Sequence, residues 1–139
     1  MLTVSYKTVL EMSKGLESFS KSTFPLRLSA IVRRWLRRVR EHKEDFEEEA
    51  RKLVLRFAKL DEDGKPQLAE GGNVLFPSGE AVGKYLEAER ELKAVEVELD
   101  VEQIQISDLG NAETFQITPE VLDQLGLLVQ DDLEKTPNA

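Results

Sequence analysis

Hydrophobic positions recur every three or four residues through the first half of this chain and alternate through much of the second. Leu2-Thr3-Val4-Ser5-Tyr6 alternates and predicts a short strand. Val9, Met12, Leu16 and Phe19 then fall on one helical face, so Lys7–Ser20 reads as an amphipathic helix. Gly15 weakens that helix by about 1 kcal/mol relative to alanine. Ser22 or Thr23 can cap a second helix whose first turn accommodates Pro25.

The longest periodic segment runs from Pro25 to Leu60. Leu28, Val32, Trp35, Val39, His42, Phe46, Ala50, Leu53, Phe57 and Leu60 follow in steps of three or four, with no Gly or Pro inside. A helix of that length reaches roughly 50 Å. One repeated step of four interrupts a strict heptad, which favours a helical hairpin or a mixed core over a long two-stranded coiled coil.

Turn residues follow at Asp61-Glu62-Asp63-Gly64 and Glu70-Gly71-Gly72-Asn73, with short β candidates near Leu68 and Val74–Phe76. Ser78 caps a third predicted helix, from Gly79 to about Ala94, with Val82, Tyr85, Leu86 and Leu92 on its inner face. Val95, Val97, Leu99 and Val101 then alternate with Glu96, Glu98, Asp100 and Glu102, the pattern of a half-buried strand. Ile104 and Ile106 resume after a phase slip at Gln103. Asp108–Asn111 reads as a turn and Phe115–Ile117 as a last strand. Thr118-Pro119-Glu120 opens a short helix closed by Gly126. No internal repeat stands out. The expected architecture is α+β: a long helical hairpin, a small mostly antiparallel sheet and a short C-terminal helix. Residues 1–130 read as one domain and 131–139 as a frayed tail.

Charge changes the picture more than composition does. Residues 1–60 carry 14 Lys/Arg against 8 Asp/Glu, or +6; residues 61–139 carry 5 against 19, or −14, giving the net −8. Much of the positive excess lies in Arg33-Arg34-Trp35-Leu36-Arg37-Arg38-Val39-Arg40. On a helix Arg33, Arg37 and Arg40 share one side of the apolar stripe, and Arg34 and Arg38 lie on another. Arg33, Arg34, Trp35, Arg37, Arg38 and Arg40 are the candidate partner-binding residues, since Arg and Trp are the residue types that dominate interface energetics. The same arginines could meet phosphates, but a chain at −8 repels a polyanion, so an acidic protein partner is favoured over nucleic acid. The alternative is that they pair with the chain's own acidic half.

Other chemistry is thin. There is no cysteine, which excludes disulfides and thiolate sites, and the single histidine, His42, sits on the apolar stripe, where a backbone or Glu partner explains it best. Asp61-Glu62-Asp63-Gly64 departs from a calcium loop, with glycine at position four and Gly72 at position twelve. The Glu96/Glu98/Asp100/Glu102 ladder has the two-residue period of a solvent face. Neither a nucleophile elbow nor a phosphate-binding glycine pattern occurs. No cofactor, metal site, enzymatic activity or membrane span is therefore expected. A cytoplasmic location is, and the oligomeric state is left open.

The strand and helix of Leu2–Ser20 precede the Phe24-Pro25-Leu26-Arg27-Leu28 helix opening and the Asp61-Glu62-Asp63-Gly64 turn. The passage from Glu91-Leu92 to Glu98-Leu99 and the segment Ile104-Gln105-Ile106-Ser107-Asp108-Leu109 complete the order. Together these resemble small, acidic, uncharacterised proteins of tailed bacteriophages and prophages, over most of the chain. The resemblance carries no catalytic residues. It implies a phage protein that acts by binding, as an accessory in particle assembly or as a host-takeover factor on a machine such as RNA polymerase.

Overall fold

The structure, a computed structural model, describes residues 1–21, 26–105, 107 and 119–130. The elements are β1 (Leu2–Ser5), α1 (Tyr6–Phe19), α2 (Leu26–Phe57), α3 (Gly79–Lys93), β2 (Glu96–Leu99), β3 (Ile104–Gln105), α4 (Pro119–Leu125) and β4 (Val129–Gln130), with a 3₁₀ turn at Gly126–Leu128. This is the α+β fold expected, with the long helix, the small antiparallel sheet and the short C-terminal helix. The expected cap at Ser22 or Thr23, Pro25, the 108–111 turn, the 115–117 strand and the 131–139 tail lie outside the described residues. The contacts within the chain gather into two compact units, Met1–Lys43 with Glu96–Ala139 and Glu44–Val95, where the sequence suggested one domain over 1–130.

In the first unit, β1 and β2 pair antiparallel with Leu2 opposite Leu99 and Val4 opposite Val97. Ser5 ends β1 and caps α1, its Oγ accepting from the Thr8 backbone N–H at 3.2 Å. Phe19 lies 6.3 Å from Trp35 between ring centroids, and a small cleft joins Ser13 and Leu16 to Leu36 and Val39, the reversed order of an antiparallel hairpin. Val9, Met12, Leu16 and Phe19 meet Leu28, Ile31, Val32, Trp35 and Val39, and Leu99, Ile104, Leu125 and Leu128 complete one core. Gly15 is buried because α4 crosses it. A Cβ there would stand 2.9 Å from Gln124 Cβ and 3.1 Å from the Leu125 nitrogen. The helix therefore accepts a poor helix former in exchange for close approach. The alternation breaks over residues 100–103, which hold no regular structure, and β3 resumes in a separate parallel pair with β4.

The second unit buries far less. The α2 stripe, fully buried through Val39, thins to half-buried positions at Ala50, Leu53 and Phe57. The Ser78 cap holds as expected, accepting from Ala81 N at 3.1 Å, but the inner face assigned to α3 is only half-buried at Val82, Tyr85 and Leu92, and Leu86 is 55% exposed. Tyr85 instead packs on Phe76, with ring centroids 5.2 Å apart.

What shapes this unit is a repeat the sequence did not advertise. Leu60–Gln67 and Leu68–Leu75 are successive turns of one plan. Asp61 N–H donates to Lys65 O and Ala69 N–H to Asn73 O, both at 2.7 Å; Leu60 bridges Pro66, and Leu68 bridges Val74. Gly64 and Gly72 hold the same place in each turn, with φ of 77° and 87°. Three hydrogen bonds then close a ring: Lys59 N–H to Leu75 O at 2.9 Å, Leu75 N–H to Gln67 O at 2.8 Å, and Gln67 N–H to Lys59 O at 2.8 Å. Because the Lys59 N–H is committed to this ring, α2 ends at Phe57 and does not reach Leu60.

Candidate functional site

The first half of α2 is positioned by what it buries. Trp35 is 0% exposed, and its indole Nε1–H donates to the backbone carbonyl of Glu102 at 2.6 Å. A buried indole needs an acceptor, and this one ties the irregular segment after β2 to the helix. Seven residues further along, His42 Nε2 lies 3.0 Å from the Glu98 carbonyl, the backbone partner expected for it. Trp35 is thus a core residue and not part of any outward face, which corrects its placement among the partner-binding residues. It belongs to the same apolar stripe as Leu28, Val32 and Val39, and burial of so large a ring outweighs its interface preference.

The five arginines remain exposed, and their surroundings differ. Arg34 pairs with Glu102, a carboxylate from the acidic back half, with side chains 53% and 59% exposed. Arg38 reaches Glu41 on its own helix at 3.4 Å. Arg33, Arg37 and Arg40 have no ion-pair partner among the described residues. Successive helical steps of four and three set these three side by side as a ridge. Among the described residues, pairing with the back half takes up one of the five guanidinium groups, that of Arg34.

Two concavities flank the ridge. On one side Leu16, Leu36 and Val39 floor a cleft of about 100 Å³ with Arg40 at its rim. On the other, Arg34, Arg37 and Arg38 face Asp100, Val101 and Glu102 across an open groove of about 470 Å³. Asp100 and Glu102 had been read only as members of a solvent ladder. The signal for their role was present in Trp35, a buried N–H donor that must find an acceptor in the chain. Exposed ion pairs of this kind contribute about 0–1 kcal/mol each, so the groove is cationic on one wall without being locked.

Among the described residues no group of acidic or histidine side chains is arranged to hold a metal ion, and no helix is long and apolar enough to cross a membrane. No family model, curated protein or solved structure matches the chain.

Proposed function

We propose that this chain is a non-catalytic, phage-encoded protein-binding module that docks by the arginine face of α2 on an acidic surface of a larger host or phage assembly, such as host RNA polymerase or a forming particle. The observation that supports this reading is the ridge of Arg33, Arg37 and Arg40, exposed and without ion-pair partners among the described residues, on a helix whose opposite side is pinned by the core. A helix already pinned by its core loses little backbone entropy on binding, although the arginine side chains must still be ordered. It also steers an acidic partner toward it. The adjoining cleft at Leu16 and Leu36 adds a small apolar hole beside Arg40, the mixed anatomy of a protein interface.

Nucleic acid is the second candidate for the same arginines. Burial of Trp35 leaves that surface without the aromatic platform on which bases stack, and this weighs against it. Capture from a nuclease-treated bacterial lysate tests the proposal, with wild type and the Arg33→Ala/Arg37→Ala/Arg40→Ala variant as baits. The expected result is an acidic protein retained by wild type and lost by the variant. Identical retention by both baits would overturn it. So would binding to duplex DNA that weakens with salt at a log–log slope near about −4.

A further inference from the structure

We propose that Glu102 is a built-in stand-in for the partner: its carboxylate sits on Arg34 in the groove, and an acidic peptide binds by taking its place. This rests on the docking reading above and names the ligand chemistry of the same face. The geometry separates the backbone of this segment from its charge. Trp35 holds the Glu102 carbonyl from the core side at 2.6 Å, and the Gln103 side-chain amide donates to Leu127 O at 2.8 Å. The segment is thus tied down at two consecutive residues, by the main chain of Glu102 and the side chain of Gln103, while the Glu102 side chain turns outward to an arginine that is itself about half exposed. The carboxylate can therefore leave Arg34 without moving the strand exit that carries it.

The groove already accommodates what it would bind. Glu102 projects from irregular backbone just after a tight turn in which Val101 N–H donates to Leu99 O at 3.1 Å, so no strand or helix partner competes for its side chain. Arg34 and Arg38 each hold a carboxylate of this chain, and Arg37, which lines the same groove, has no ion-pair partner among the described residues. An incoming Asp or Glu side chain meets Arg37 first. It then competes with Glu102 for Arg34, in a contact solvated enough to exchange. Asp100 lines the groove beside Glu102 and opposes the incoming negative charge, which keeps the contact exchangeable.

The test is fluorescence anisotropy of a labelled short polyglutamate peptide at low ionic strength. The proteins are wild type, Glu102→Gln, Glu11→Gln and Arg34→Ala/Arg37→Ala/Arg38→Ala. Glu102→Gln keeps the backbone carbonyl that Trp35 needs, and Trp35 emission checks that the core is intact. Glu11→Gln makes the same change of net charge on an exposed position of α1. The expected result is that Glu102→Gln tightens binding about three- to tenfold, Glu11→Gln changes it less than about twofold, and the arginine variant abolishes it. If Glu102→Gln binds no more tightly than wild type while the arginine variant still loses binding, the stand-in is overturned and the docking face survives. Loss-free binding by the arginine variant, which keeps Arg33 and Arg40, overturns the stand-in, and no binding by either wild type or Glu102→Gln overturns both. A larger gain for duplex DNA than for the peptide on Glu102→Gln would overturn the acidic peptide as occupant.

Discussion

The indole N–H of Trp35 donates to the backbone carbonyl of Glu102 across 67 residues of sequence, at 2.6 Å. This one bond joins the core of the helical hairpin to the segment whose carboxylates face the arginine wall. It makes core stability and groove geometry a single property. Trp35→Phe is expected to cost about 1–2 kcal/mol, because the Glu102 carbonyl loses its donor. Trp35→Ala is expected to cost about 3–5 kcal/mol through the cavity it leaves. Urea denaturation measures both. A surface tryptophan would give a loss near zero in each case.

Gly15→Ala sets two effects against each other. Alanine favours the helix by about 1 kcal/mol. Its Cβ would meet Gln124 Cβ at 2.9 Å and backbone atoms at 3.1 and 3.2 Å, which α4 can relieve only by moving away. Overlap is expected to win, with a net loss of about 1–3 kcal/mol in thermal or urea unfolding. A gain in stability would mean that α4 does not cross α1 at this glycine.

Much of this fold was legible in residue spacing, since burial of Val9, Met12, Leu16, Phe19, Leu28, Val32 and Val39 follows directly from helical periodicity. Legibility failed where tertiary demands overrode local pattern. Trp35 lay on the apolar stripe and in the arginine run at once, and only its satisfied N–H decides between them. Leu86 on α3 has the right spacing for burial, but among the described residues it stays 55% exposed. The paired turns at Gly64 and Gly72 share few side chains, so their likeness appears in backbone hydrogen bonds and φ angles, which composition does not record.

Those turns make a further prediction. Gly64→Ala and Gly72→Ala each place a Cβ on a backbone with φ of 77° or 87°, where nothing crowds the space but the conformation itself is costly. Each is expected to lose about 1–2 kcal/mol. The loss should show in hydrogen exchange of the Lys59, Gln67 and Leu75 amides that close the ring. Unchanged protection at all three would contradict the closed ring.

Tyr85 supplies the pH dependence. Burial, and then its hydrogen bond to Glu89 at 2.8 Å, push its phenol from 10.0 up to about 12. The folded form favours the protonated phenol, so this stability is fully present below about pH 10 and is lost as pH rises toward 12. Glu89 shifts the other way, below its ordinary 4.5, chiefly because Tyr85 donates to it; its share is present above 4.5 and lost as pH falls further. Absorbance titration should show Tyr85 ionising late, and Glu89→Gln should bring that ionisation toward 10. An unshifted curve in Glu89→Gln would leave burial as the whole cause.

Isothermal titration of a polyglutamate peptide into wild type and into Arg33→Ala/Arg37→Ala/Arg40→Ala tests the docking face most directly. Binding to wild type that falls by about tenfold or more in the variant is the result the exposed ridge predicts. Equal affinity for both proteins would contradict it.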